Sequence, residues 1–300
     1  MKQKVSLVLS GGGARGIAHI GVIEELEKQG FEISSIAGTS MGALVGGVYA
    51  LGKMEEYKEW LYTLDKFKVF NLVDFTLSSQ GLIKGDKVLN KMKEFIPDAK
   101  IEELSIHYAA VAADIMNKKE VVFRKGSVFE AIRASMAIPT VFTPVKTKNG
   151  LLVDGGIINN IPLNHVKREK DDLLIAVNVN ADVPVDKPAV SKKEEKNNRS
   201  VYQEKIREFY QQLHLSSSDN KEEKLGYFDL INKTIAMMTY HIGQANLKNH
   251  PPDILMEISH EACSTFDFYR AKELVSMGRH AAQKSLKKYE GETIGSQAEH

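Results

Sequence analysis

One cysteine, Cys263, stands in a chain of 300 residues, which excludes an internal disulfide framework and fits a reducing compartment. Its expected role is packing. Charge of one sign is also missing: 40 Lys and Arg face 39 Asp and Glu, for a net charge of +1. No overall field draws the chain to nucleic acid or to an anionic membrane. No run approaches the roughly 18 apolar residues of a spanning helix; the nearest, Met41 to Leu51, is short and broken by glycine. Lys2 and Lys4 precede VSLVL as in a signal peptide, but the apolar stretch falls short of an h-region of about 7–15 residues. The cytoplasm is the expected location.

What the chain does have is an α/β rhythm. Lys4–Leu9, His107–Asp114 and Leu173–Asn180 are continuous apolar runs, the pattern of strands covered on both faces of a parallel sheet. Ser35–Gly38, Glu120–Arg124 and Asp253–Ile258 read as further strands. Helical patterns fall between them at Ile17–Gln29, Met41–Leu51, Asp86–Phe95, Val128–Met136 and Tyr269–Lys288. This alternation predicts a layered α/β fold with helices on both faces. The rhythm breaks between about 183 and 250. There SKKEEKNNRS and SSSDNKEEK are polar connectors. Tyr202, Ile206, Phe209, Tyr210 and Leu213, and then Phe228, Ile231, Ile235, Met238 and Ile242, recur at helical spacing. They predict two helices that either pack an insertion onto the domain or form a lid or lipid-facing surface. Residues 251–290 return to strand and helix, and GETIGSQAEH at the end reads as a frayed tail.

Three glycine-framed stretches carry the chemistry. Gly11, Gly13 and Gly16 spell G-x-G-x-x-G between a strand and a helix, as in a dinucleotide site. Such a site also needs an acid at the end of the next strand to hold the ribose. Glu32 comes before that strand, and at its end stand Gly38-Thr39-Ser40-Met41-Gly42. This G-x-S-x-G predicts a nucleophile elbow, with Gly38 and Gly42 leaving room for the strained turn that presents Ser40 at a helix N-terminus. The glycine loop can then offer N–H groups to an oxyanion rather than to a cofactor. Arg15 either orients that loop or is solvated beside it. A serine needs a base, yet none of the nine histidines lies in a glycine-framed turn; His19, His165 and His280 fall in helical patterns. Asp154, in LLVDGG, does lie in such a turn, and its motif reads equally as an ordinary β-turn.

These pieces resemble, in order, the patatin-like phospholipase family, especially its bacterial members and the neuropathy-target-esterase branch: GGGARG at 11–16, GTSMG at 38–42, ASMAIPTVFTPV at 134–145 and DGG at 154–156. The resemblance spans most of 1–182, and FDFYRAKELVSMGRHAA at 266–282 is similar to the family's closing helix. It implies a three-layer α/β/α fold with a mostly parallel central sheet, and a serine–aspartate dyad. Ser40 is then the nucleophile and Asp154 its base. Gly11, Gly12, Gly13 and Gly16, with Arg15 beside them, form the oxyanion hole. The implied substrates are phospholipids, lysophospholipids or other acyl lipids, cleaved without metal or other cofactor and without a nucleic-acid partner. A peripheral membrane contact and a homodimer stay open. A dyad without histidine further predicts that activity need not fall as pH drops through about 6.5, the ordinary histidine pKa.

Overall fold

In the computed structural model, residues 2–78, 81–186 and 226–297 are described. The expected helix over Tyr202 to Leu213 lies outside them. Ten strands and eight α-helices are found among the described residues. Strand β1 (Lys4–Leu9), buried from Val5 onward, lies parallel to β2 (Glu32–Thr39) on one side and to β9 (Leu173–Ala181) on the other. Strand β10 (Ile254–Ser259) extends the sheet beyond β9, and β5 (His107–Asp114) extends it beyond β2, both in parallel. Strand β8 (Leu151–Asp154) runs antiparallel to β5, and β7 (Val145–Lys146) to β8. The order is β10-β9-β1-β2-β5-β8-β7, with β6 (Lys119–Phe123) also paired to β5. Strands β3 (Phe75–Ser78) and β4 (Gly81–Ile83) form a separate two-stranded sheet.

The fold is the expected three-layer α/β/α arrangement around a mostly parallel sheet. One face carries Val5, Leu7, Leu9, Ile175, Val177 and Met256 into the main core. There they meet α1 (Ala18–Lys28), α2 (Met41–Ala50) and α8 (Ala271–Gln297). Helices α1 and α8 approach so closely that a Cβ on Gly21 would stand 1.9 Å from the Val275 carbonyl oxygen. The other face presents Val8, Leu174 and Ala176 to Ile161, Leu163 and Val166, with Leu247 of α7 (Tyr227–Asn249) beside them.

Several expectations need correction. Helix α1 starts at Ala18, because Gly13–Ile17 forms a 3₁₀ turn ahead of it. Helix α3 (Met54–Tyr62), with α4 (Lys66–Asn71) after it, was not foreseen; it seats only Tyr57 and Leu61 fully, too few to set a clear period. Helices α5 (Asp86–Lys93) and α6 (Val128–Ser135) stand where expected. Helix α8 runs past its expected end at Lys288 to Gln297; no proline interrupts it, and Gly291 costs an exposed helix only about 1 kcal/mol. In α7, Met238 is 53% exposed and so leaves the expected inward stripe. The seated face instead includes Ile231, Asn232, Ile235, Thr239, Ile242 and Gly243.

Candidate active site

Strand register brings the two remote motifs together. Thr39, the last residue of β2, pairs with Val111 of β5. On the same edge of β5, with β6 on the opposite one, Asp154, the last residue of β8, pairs with the adjacent Ala112. Ser40 and Asp154 therefore leave the sheet at the same level. Gly155 crosses β5 so closely that a Cβ would stand 2.3 Å from the Val111 carbonyl oxygen.

Ser40 occupies a sharp turn, with φ 54° and ψ −121°, as the N-cap of α2. A non-glycine residue with positive φ is held there by its surroundings. Its N–H donates to Ser135 Oγ at 2.8 Å, and that hydroxyl donates to the Val111 carbonyl at 2.5 Å. A Cβ on Gly42 would lie 2.2 Å from the Leu9 carbonyl oxygen, and one on Gly38 would strike the backbone of Gly42 at 2.5 Å. Both elbow glycines are thus required by close backbone approach. The elbow also places the positive end of α2 beneath the Ser40 hydroxyl.

The glycine loop lies against the serine: a Cβ on Gly11 would stand 3.0 Å from Ser40 Cβ. Gly11 N–H, expected to face an oxyanion, is instead committed to the Asn160 carbonyl at 3.2 Å. The Gly11 carbonyl accepts from Asn180 Nδ2 at 2.6 Å. With the Gly11 peptide gripped on both sides, the next N–H groups, on Gly12 and Gly13, have no acceptor among the described residues. Gly13, at φ 56°, turns the chain into the 3₁₀ helix. Gly16 sits behind the loop against Met41 and His19 and makes room for their packing.

Arg15 is partly buried and held in place rather than free beside the loop. Its guanidinium donates to the carbonyls of Val179 and Cys263, each at 3.2 Å, and to Asn180 Oδ1 at 2.9 Å. Burial lowers its pKa, opposed by Cys263, and an arginine remains a cation in such a setting. The Cys263 thiol is buried, and burial pushes its pKa up to about 11, which makes it an inert packing group.

Asp154 Oδ1 accepts from Gly156 N–H at 2.7 Å, while Oδ2 is buried without a hydrogen-bond partner. Its backbone N–H donates to the Ala137 carbonyl at 2.9 Å. Burial lifts the carboxyl to about 6, opposed by the nearby Ser40 hydroxyl and then by the Gly156 N–H. The hydroxyl is thus near enough to favour the carboxylate, although the resting geometry closes no hydrogen bond to Oδ2; such contacts often tighten only with substrate bound. The segment 134–139 holds both partners, through Ser135 to Ser40 and through Ala137 to Asp154.

A cavity of about 550 Å³ opens above these groups. Asn178, Asn180, Asp182, His260 and Thr265 line one side, and Ile138, Pro139, Ile157 and Ile161 another. Helix α7 roofs it with Ile235, Ala236, Thr239, Tyr240, Gly243 and Gln244. Among the described residues two side-chain hydrogen bonds tie that helix down: Thr140 Oγ1 to Asn232 Oδ1 at 3.1 Å, and Asn246 Nδ2 to Asn159 Oδ1 at 2.7 Å.

His19, His165 and His280 do not line the cavity. His19 is fully buried behind the loop, where burial lowers its pKa to about 4, and its Nε2 meets the Ser10 carbonyl at 2.8 Å. His165 pairs with Glu120 and His280 with Asp186. His260, the histidine that does line the cavity, turns Nδ1 to the Ala181 carbonyl at 3.2 Å. Glu32 is the first residue of β2, at the far end of that strand from the loop, so the dinucleotide reading lacks its ribose acid. Among the described residues no group of three or more His, Cys, Asp or Glu is gathered to hold a metal ion. Sequence reasoning missed Ser135, Asn160 and Asn180. The signal for Asn180 was present in LLIAVNVN, where two amides interrupt an otherwise apolar buried strand.

Residues 7–167 match the family model described as Patatin-like phospholipase. An uncharacterized NTE family protein of Mycobacterium tuberculosis is 32% identical over 96% of this chain and 92% of its own length. Lysophospholipase NTE1 of Candida albicans is 34% identical over 185 residues, covering 59% of this chain and 13% of the fungal protein. Among solved structures, VipD from Legionella pneumophila aligns over 96% of this chain and 67% of its own, with a TM-score of 0.46 and 14% identity.

Proposed function

Because the chain belongs to the patatin-like phospholipase family, in its NTE-like branch, we propose that it is a serine acyl hydrolase. It would cleave the carboxylic ester bonds of phospholipids or lysophospholipids through Ser40 and Asp154. The observation that carries this reading is the unpaired, buried Asp154 Oδ2 beside the Ser40 hydroxyl, at the floor of a cavity with one apolar side. Ser40 Oγ attacks the acyl carbon as Asp154 takes its proton. Negative charge grows on the carbonyl oxygen and meets the Gly12 and Gly13 N–H groups and the positive end of α2. Collapse breaks the ester C–O bond, and the proton on Asp154 passes to the departing alcohol. Water then attacks the acyl-enzyme with Asp154 again as base, releasing the fatty acid and restoring Ser40.

Helix α7 acts in this reading as the lid. Leu230, Met237 and Met238 on it are each more than half exposed beside the cavity, which supports contact with a lipid surface. The proposed contact is peripheral, from the cytoplasm; no helix among the described residues is long and apolar enough to cross a membrane. The test compares hydrolysis of lysophosphatidylcholine, phosphatidylcholine vesicles and a soluble short-chain ester by the purified protein, Ser40→Ala and Asp154→Asn. Both variants are expected to stay folded and lose all three activities. Retention of activity by either would overturn the dyad.

A further inference from the structure

Two hairpin turns leave the sheet side by side, one joining β5 to β6 (115–118) and one joining β7 to β8 (147–150). They are fastened to each other. The Asp114 carboxylate accepts from the N–H groups of Met116, Asn117 and Leu151 at 3.1, 3.2 and 3.3 Å, and from Asn117 Nδ2 at 2.7 Å. The same Asn117 amide donates to the Asn149 carbonyl at 2.7 Å, and Ile115 N–H donates to the Leu151 carbonyl at 3.1 Å. Gly150 lies so close to Asp114 that a Cβ would stand 2.2 Å from its Oδ2. The two turns thus form one braced tip.

Ile115 and Met116 occupy the first of these turns and are 46% and 68% exposed, where polar residues and glycine are usual. Lys118, Lys119, Lys146 and Lys148 surround them, all exposed. Among the described residues none of the four is in an ion pair. The acidic residues of these hairpins do not neutralise them: Asp114 is engaged within the tip, Glu120 by His165 and Asn159, and Asp154 at the catalytic floor. Lysines on edge strands such as β6 and β7 guard against unwanted pairing, which accounts for Lys119 and Lys146. It does not account for Lys118 and Lys148, which lie in the turns. Lys118 even holds φ 52°, a left-handed setting that favours glycine.

The tip points the same way as the catalytic cavity. Gly11, Ser40, Asp182 and His260, which line that cavity, follow the carboxyl ends of β1, β2, β9 and β10. Ile115 likewise follows the carboxyl end of β5, about 10 Å beyond the level at which Ala112 pairs with Asp154.

We propose that this twin-hairpin tip docks the protein on an anionic lipid bilayer. Ile115 and Met116 enter the interface, and the four lysines meet the head groups. An apolar point with a basic collar suits a fluid, negatively charged surface. Two apolar side chains fall far short of the roughly 20 residues that a stable protein interface takes from each partner. The inference rests on the lipid contact read from α7 and adds a separate, charge-selective attachment; it does not depend on Ser40 being the nucleophile.

The test is sedimentation of Ser40→Ala, which leaves lipid intact, with vesicles of phosphatidylcholine alone or with about one third phosphatidylglycerol. The anionic vesicles are expected to bind at least tenfold more tightly. Each lysine near such a surface contributes about fivefold, so adding Lys118→Gln and Lys148→Gln should remove most of that preference without lowering the melting temperature. A nitrobenzoxadiazole label on Met116→Cys, with Cys263 buried and inert, should brighten and shift to the blue on anionic vesicles. Equal binding to both vesicles, or binding indifferent to the two lysines, would overturn the proposal. So would a label that stays in water while the protein binds, the result expected if the tip serves an acidic protein instead. Binding that survives the lysine changes but is lost in Met237→Ser with Met238→Ser would overturn the tip and leave the α7 contact standing. Failure to bind either vesicle would overturn both.

Discussion

At the scale of single residues, Asp154 carries the most consequence. Its ordinary pKa is 3.8 and burial lifts it to about 6. The folded state therefore holds the proton more tightly than the unfolded chain, and stability falls as pH rises between those values. The cost is complete above pH 6 and is on the order of 3 kcal/mol. Asp154→Asn keeps an acceptor for Gly156 N–H and removes that charge. Its melting temperature should exceed that of the parent at pH 8, with the gap closing toward pH 4; a lower melting temperature at pH 8 would contradict the burial argument. The same shift moves the expected loss of activity up from the ordinary aspartate range. Activity should fall as pH drops through about 6, close to where a histidine would titrate, so the profile alone does not separate the two bases. His260→Gln and His19→Gln do: each should leave the midpoint in place, whatever it does to the rate.

Glycine at 42 is fixed by the backbone beneath it. A methyl group there would need the Leu9 carbonyl to move by about an ångström, since their separation would be 2.2 Å against an ordinary contact of about 3.5 Å. Gly42→Ala should abolish labelling of Ser40 even if soluble protein is recovered. Full labelling would mean that the elbow tolerates a shift of β1.

At the scale of elements, α7 is the weakly anchored piece. Among the described residues its polar ties to the body are the Asn232–Thr140 and Asn246–Asn159 hydrogen bonds, each contributing about 1 kcal/mol. Thr140 itself sits at φ 69°, a strained setting for a β-branched residue. Replacing both Asn232 and Asn246 by alanine should speed amide hydrogen exchange across 230–249 and leave β1 and β9 protected. Unchanged exchange in α7 would show that its apolar contacts suffice to hold it. The inward face of this helix also explains why its period misled. Asn232, Thr239 and Gly243 occupy seated positions that an apolar stripe does not flag, whereas Met238 is apolar and exposed.

At the scale of the whole molecule, the legible parts were those with strong local patterns. Continuous apolar runs marked β1, β5 and β9 because both faces of those strands are covered. Glycine-framed motifs marked the elbow and the Asp154 turn because close backbone approach leaves room for no other residue. The convergence of those motifs was not legible without the family resemblance. It depends on the register that sets Thr39 beside Val111 and Asp154 beside Ala112, a property of pairing between distant strands. For the same reason Gly11 looked like an oxyanion donor, since its commitment to Asn160 is a contact between distant loops. Arg15 was ambiguous until β9 and Cys263 closed around it.

The most direct measurement is the rate at which a fluorophosphonate labels Ser40, followed by mass spectrometry in the parent and in Asp154→Asn across pH 4 to 9. The account predicts a single labelled residue, Ser40, with a rate that falls below about pH 6 and at least a hundredfold slower labelling in Asp154→Asn, within the range for loss of a general base. Equal rates in the two proteins, or a label on another residue, would contradict it.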